Sequence, residues 1–404
     1  MSERYTGAWL QDGAFNPLSV PVPSNKYIQY GGVWTTSQAA DAVASGTWAK
    51  VTQPHLYSWG DNNNGQLGLG NTTNYSSPNQ VGSLTNWLNI ASGSYFSFII
   101  KTDGTLWSWG QNVFGQLGLN NITYYSSPKQ VGSLTNWLNV SCGAYHSIVT
   151  KTDGTLWAWG RNNFGQLGLG NTTNYSSPKQ VGSLTTWLSV AASFYYTLAT
   201  KTDGTLWTWG QNNKGQLGQG NITNLSSPKQ VGSLTNWLLV ASGGYAHTIS
   251  VKSDGTLWAW GFNNYGQLGL GNNVSYSSPK QVGSLTNWLK LTKGFYYTMS
   301  IKTDGTLWSW GNNHRGNLGL GNITYYSSPK QIGALTNWLN ISSGFYSSKA
   351  IKTDSTLWAW GANTFGQLGT NNVTYYSSPV QVGSLTTWSS ITSGLYHTIA
   401  IAKT

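Results

Sequence analysis

The chain has 404 residues, only 8% of them charged, and a formal net charge of +11. Its 23 Trp and 23 Tyr supply too much apolar surface for a disordered chain, and no run approaches the roughly 18 apolar residues of a membrane-spanning helix. One cysteine, Cys142, excludes an intrachain disulfide and a thiolate metal site.

Residues 1–53 do not repeat and read as a separate arm. "MSERYTGAWLQDG" lacks the apolar core of a secretory signal. "NPLSVPVPSNKY" is rich in proline and should be extended. A short helix is expected from Ser37 to Gly46, and Trp48 in "GTWAKV" is positioned to begin an additional strand. Trp9, Phe15 and Trp34 are too apolar for a free tail. They predict an anchoring arm, packed on its own domain or docked onto a larger assembly.

Residues 54–404 are repetitive. The Gly that closes a Trp-x-Trp-Gly motif, or its Tyr-x-Trp-Gly variant, falls at 60, 110, 160, 210, 261, 311 and 361, a period of 50 with a single 51. A second tryptophan recurs in phase, from Trp87 to Trp388. Within a copy, "NWLNIAS" (86–92) reads as a short strand ending at Gly93. "YFSFIIK" (95–101) alternates, Asp103-Gly104 marks a hairpin, and "TLWSWG" alternates again with Trp107 and Trp109 on one face. Both tryptophans are expected to fill the space between neighbouring sheets. From "GQLGLG" to "SSPKQVGSLT" the composition is that of turns. An edge strand near "KQVGSL", with the proline at its start, would break up that long loop. Small sheets of three or four strands that cannot bury both faces alone predict an all-β, seven-bladed propeller.

The two ends of the repeat region are complementary. The first copy, "PHLYSWG" (54–60), lacks the Lys-Thr-Asp-Gly-Thr that opens the others. Aligning Leu56 with Leu106 and Thr404 with Thr102 leaves only an Asp-Gly-Thr turn missing. The last copy and the first should therefore complete one blade and close the ring without an orphan edge.

These elements occur in a fixed order: "GQLGLG" (65–70), Pro78, "QVGSL" (80–84), then "IASGSYFSFIIKTDGTLWSWG" (90–110). The order resembles the repeat of the regulator of chromosome condensation family, over residues 54–404. The resemblance implies a seven-bladed propeller. That family's founding member is a nucleotide exchange factor for a small GTPase and binds nucleosomes. This chain has neither an insertion wedge in the ring nor a long basic tail. The low charge, the many Asn, Thr, Gly and Trp, and the short non-repeating start resemble bacterial and bacteriophage members.

The inventory argues against an enzyme. Glu3 is the only glutamate, and the ring's aspartates are Asp61 plus six at hairpin turns. No carboxylate pair remains for glycoside hydrolysis. His55, His146, His247, His314 and His397 lack metal-ligand spacing and read as strand or loop residues. The "GQLGLG" segment recurs as a turn and is no phosphate loop, and the Asn-x-Ser/Thr sequons read as turn residues. No cofactor or metal is expected.

Binding is expected at the loop before each proline. Tyr75, Tyr125, Tyr175, Tyr276, Tyr326 and Tyr376 share one position, with Leu225 the exception. Lys129, Lys179, Lys229, Lys280 and Lys330 follow the proline. Tyr beside Ser, Asn and Lys suits stacking on a sugar or packing on a protein; the competing reading packs these tyrosines between blades. With few arginines, nucleic acid is not the expected partner. Near-identical copies suit repeated weak sites that add by avidity, whereas an asymmetric partner would call for diversified blades. The leading expectation is a non-enzymatic propeller on a virion or cell surface: a phage tail-fibre, receptor-binding or capsid-decoration protein. Residues 1–53 would hold it to other structural proteins, the repeated Tyr/Asn/Lys loop surface would face a host glycan or receptor, and oligomerisation is left open. The alternative is an intracellular protein-interaction scaffold, or an exchange factor of the same repeat family. Without a signal sequence, that alternative is cytoplasmic.

Overall fold

The computed structural model describes residues 52–241 and 244–404. Trp9, Phe15, Trp34, the helix expected from Ser37 and the strand expected at Trp48 lie outside the described residues. Gln53–Thr404 form one unit; its described residues are all β, with 28 strands in seven antiparallel four-stranded sheets.

Blade 1 shows the plan. It is built from β3 (Trp87–Ser92), β4 (Phe96–Lys101), β5 (Leu106–Gly110) and β6 (Tyr125–Gln130), paired in that order. Blades 2 to 6 repeat it over residues 137–180, 187–230, 237–281, 288–331 and 338–381. First strands of adjacent blades neighbour one another around the axis, and fourth strands form the rim. The second strand is buried on both faces, from Phe96 to Lys101 in blade 1. This follows from its place between two blades, so its apolar and polar residues are both enclosed.

The ring closes in the seventh blade. There β27 (Trp388–Ser393) and β28 (His397–Lys403) come from the C-terminus, and β1 (Pro54–Gly60) and β2 (Tyr75–Gln80) from the start of the repeats. The register corrects the expected alignment. Trp388 pairs with Ala402 where Trp87 pairs with Lys101, so Thr404 occupies the place of Asp103 and not that of Thr102. The ladder runs on through Pro54 and Lys403, and Gln53 and Thr404 exchange both backbone hydrogen bonds, at 3.0 and 3.1 Å. A continued ladder replaces the turn.

The hairpins are wider than a two-residue turn. Gly104 N–H donates to Lys101 C=O and Lys101 N–H to Thr105 C=O, enclosing three residues with Gly104 at φ +75°. Asp103 accepts from the Thr105 backbone (2.9 Å) and hydroxyl (2.6 Å), and that hydroxyl accepts from the Trp107 indole (2.9 Å). Lys101 turns its ammonium over Trp107, 3.9 Å from the ring centroid. Both tryptophans lie at the interface with blade 7, in the cluster of Leu56, Val81 and Ile401: Trp109 fully enclosed, Trp107 half-buried at its edge beneath its own blade's lysine.

The expected edge strand is displaced. It runs from Tyr125 to Gln130 with Pro128 inside it, and "VGSL" beyond is a bend. Tyr125 pairs with Gly110 and Lys129 with Ser108 across an irregular register. A rim strand tolerates this proline because no outer partner requires its N–H.

Candidate interaction surface

The "GQLGLG" motif is the latch between blades. The Gln66 carbonyl accepts from the Trp109 indole and the Ser97 hydroxyl of the next blade, at 2.8 and 2.9 Å. The same pair recurs around the ring and closes it through Trp59 and Thr398 on Gln367. Gly68 faces Trp109 so closely that an added Cβ would stand 2.7 Å from its indole nitrogen. Gly70 N–H reaches Ser126 C=O in the next rim strand, at 2.8 Å. The motif's repetition is therefore structural.

A second belt crosses the blade interfaces deeper in. His146 Nε2 lies 3.0 Å from Thr197 Oγ1, and His397 Nε2 lies 3.1 Å from Ser97 Oγ. Burial pushes both imidazoles down to about 3, so they are neutral struts. Tyr297 bridges blades 5 and 6, donating to Ser347 C=O at 2.8 Å. Lys293 joins three blades: its ammonium donates to Ser193 Oγ (2.8 Å), Tyr196 OH (2.8 Å) and His247 C=O (2.9 Å). Burial holds its basicity well below the ordinary lysine range. These titratable groups are spent on the ring.

The rim residues stand one set per blade. Tyr125, Tyr175, Tyr276, Tyr326 and Tyr376 are half-buried against core clusters, and Leu225 takes the same place. Tyr75 is also half-buried. Each of the six tyrosine hydroxyls accepts from a turn asparagine, at 3.0 to 3.4 Å. Lys129, Lys179, Lys280 and Lys330 lie over the tyrosine of their own strand, with centroids at 5.4 to 5.6 Å. Lys229, beside Leu225, is exposed like the others. The rim thus pairs Tyr with Lys within a blade but gathers no two blades' pairs into one site. The sequon asparagines are turn residues here: Asn121 Oδ1 accepts from Thr123 N–H (3.0 Å) and its Nδ2 donates to Tyr125.

One end of the ring was not legible as a site. At this loop end the third strand of each blade leaves and the second begins, as the bond from Gln111 N–H to Tyr95 C=O shows (2.9 Å). Around the axis the backbone passes hydrogen bonds from blade to blade: Tyr245 to Phe295, Phe295 to Phe345, Phe345 to Leu395, and Leu395 to Ser94. They narrow the axial opening to a cavity of about 50 Å³. Side chains above it form a connected aromatic surface. Phe295 lies 5.2 Å from Phe194, 4.5 Å from Tyr296 and 4.3 Å from Phe345. Phe345 continues to Tyr346 (4.3 Å) and Tyr396 (5.5 Å). On the other flank the Arg161 guanidinium lies among Phe114, Tyr145, Phe164 and Tyr195, at 4.9 to 5.9 Å.

The blades differ at this end. The axial position reads Ser94, Ala144, Phe194, Tyr245, Phe295, Phe345, Leu395. The position after each Trp-Gly reads Asp61, Gln111, Arg161, Gln211, Phe262, Asn312, Ala362. The next residue, Asn62 in the first copy and Asn363 in the last, is always Asn and always buried. It holds the loop by accepting from the Leu67 or Leu368 N–H, both at 2.9 Å. At the opposite, hairpin end, "KTDGT" and "GSLTNW" hardly vary. The expectation of undiversified blades therefore fails at one end of the ring.

A model of the RCC1-like domain matches residues 35–245. Models of the Regulator of chromosome condensation (RCC1) repeat match residues 240–267, 254–301, 304–351 and 354–401. Over 41 residues the chain is 54% identical to the Ultraviolet-B receptor UVR8 of Arabidopsis thaliana, a stretch covering 10% of this chain and 9% of that one. The chain thus matches about a tenth of the length of that curated relative. Human WBSCR16 superposes with a TM-score of 0.78 at 22% identity, covering 87% of this chain and 99% of that one. Prp20p of Saccharomyces cerevisiae, described with its binding properties to Gsp1p and histones, gives 0.77 at 19% identity, covering 88% and 92%. At these identities the likeness is one of fold.

Proposed function

Since the chain belongs to the RCC1-like family of repeat propellers, we propose that it is a non-enzymatic protein-interaction scaffold. The observation that supports this is a division of labour among its side chains. Repeated polar and titratable groups are consumed by latch, hairpin and interface belt, while residues that vary from blade to blade gather at one end of the ring, where Phe194, Phe295, Phe345 and Arg161 are half-buried and Lys214 and Arg315 are exposed. A rigid ring with one individual face suits binding, and function on a shared fold resides in such a site.

The tail-fibre, receptor-binding and capsid-decoration readings, and a bacteriophage-like origin, gain no support from the relatives, and neither does placement on a virion or cell surface. The proposal omits them. Binding of Gsp1p and histones is a property of Prp20p. Exchange activity is measured as a separate arm, in which a panel of small GTPases should show no stimulated nucleotide release.

The test is site-specific photo-crosslinking of the full chain in its source cells. Benzoylphenylalanine replaces Phe194 or Phe345 at the loop end, Thr102 or Leu134 at the hairpin end, and Ser127 at the rim. Discrete adducts with another protein are expected from at least one of these surfaces. A chain that forms no protein adduct at any position is not an interaction scaffold.

A further inference from the structure

We infer that the loop end docks a single protein partner, seated off the axis over blades 2 to 6, whose contacting segment is acidic and apolar. This rests on the scaffold reading and names its surface and partner chemistry.

The asymmetry fixes the stoichiometry. Aromatic side chains are concentrated on blades 2 to 6: Phe164, Phe194, Tyr265, Phe295, Phe345 and their neighbours. The corresponding positions of blade 7 and blade 1 hold one aromatic in four: Asn64 and Leu395 in blade 7, Ser94 and Phe114 in blade 1. Seven equal sites would leave seven equal loops. A face whose aromatic side chains gather mainly on one arc offers one large patch, as single-partner interfaces do.

Charge fixes the chemistry. Arg161, Lys214 and Arg315 stand on the apolar arc, in blades 2, 3 and 5. Each leans on aromatic rings: Arg161 in its four-ring cradle, Lys214 5.9 Å from Phe262, and Arg315 5.5 Å from Tyr375. The Arg161 Nε has no hydrogen-bond partner among the described residues. The one carboxylate of the loop-end segments, Asp61, is buried and accepts from Gln66 Nε2 at 2.8 Å. Three cations without acidic neighbours among the described residues, set among apolar rings, complement carboxylates interleaved with aliphatic or aromatic side chains. Nucleic acid fits less well. Three cations on separate blades make a sparse phosphate track, and the rings pack edge to face or tilted against one another.

The experiment selects random peptides displayed on beads against the full chain. The enriched peptides are then titrated by fluorescence anisotropy. Enriched sequences should combine Asp or Glu with Leu, Ile or Phe. R161Q/K214Q/R315Q should weaken binding at least tenfold and flatten its salt dependence, while melting as the parent does. K129Q/K179Q/K280Q, at the rim, should leave binding unchanged. No enrichment, enrichment of peptides without acids, or binding that survives the loop-end charge change overturns the inference. So does full competition by a (dT)20 oligonucleotide, or crosslinking from Phe194 and Phe345 only to residues 1–52 of the same chain. Protein adducts confined to rim or hairpin end would sink this inference and leave the scaffold reading standing.

Discussion

The indole N–H of Trp109 in blade 1 donates to the carbonyl of Gln66, which belongs to the neighbouring seventh blade, at 2.8 Å. This bond recurs at every described blade interface, at 2.8 to 3.1 Å. It makes the ring one cooperative body rather than seven weakly stacked sheets, because each blade's loop satisfies a buried donor of the next.

Gly68 is required by that bond. Its φ is +74°, and a Cβ would press on the Trp109 indole. Gly68→Ala should cost about 2–4 kcal/mol through left-handed strain and overpacking. Urea denaturation followed by tryptophan fluorescence measures it; a change under about 0.5 kcal/mol, the scale of an ordinary surface substitution, would contradict the latch.

Ser347 and Lys349 have exchanged roles with their counterparts. Other copies place a larger residue at the first site (Tyr297, His397) and an apolar one at the second (Met299, Ile399). In blade 6 the long lysine fills the space, its ammonium donating to Ser347 Oγ at 2.7 Å. Ser347→Tyr alone should destabilise by overpacking. Ser347→Tyr/Lys349→Met should exceed the sum of the single changes by about 1–3 kcal/mol, as coupled neighbours do. Burial also lowers the Lys349 pKa to about 7. Between pH 7 and 10.5 the unfolded chain binds this proton and the folded chain releases it, so stability climbs with pH there. The double variant should lose that component. Additive changes with an unaltered pH profile would contradict the pairing.

Acid should weaken the interface belt. His146 and His397 titrate near 3 when folded and near 6.5 when unfolded. Their contribution is intact above 6.5 and is lost as pH falls from there towards 3, with a slope approaching about 1.4 kcal/mol per pH unit for each ring. His146→Tyr, which copies Tyr196 and Tyr297, should flatten this slope in chemical denaturation at pH 7, 6 and 5. An unchanged slope would mean that His146 is protonated in the fold.

Much of the ring was legible because repetition exposes construction. The period, the Asp103-Gly104 hairpin and the shared closing blade follow from positions that recur. Two details were not. The "AKT" ending mimics "KTDGT" by chance, so the seam register became clear only when Ala402 was found opposite Trp388. The rim strand includes Pro128, which pattern reading sets at a strand's start. The loop end escaped for the opposite reason. Repetition draws attention to Tyr125 and Lys129, whereas Phe194, Arg161 and Tyr265 are departures from the repeat. Only a fold that brings residues about 50 apart to one end of the ring makes those departures a surface.

The most direct measurement is the binding of the captured partner to Phe194→Ser/Tyr245→Ser/Phe295→Ser/Phe345→Ser. This variant gives four blades the residue that Ser94 already holds at the same position. The partner recovered by crosslinking the parent chain is titrated against parent and variant, and both are melted by circular dichroism. A cooperative melt with binding weakened at least tenfold is the predicted result. A cooperative melt with affinity unchanged would contradict the claim that this end carries the function.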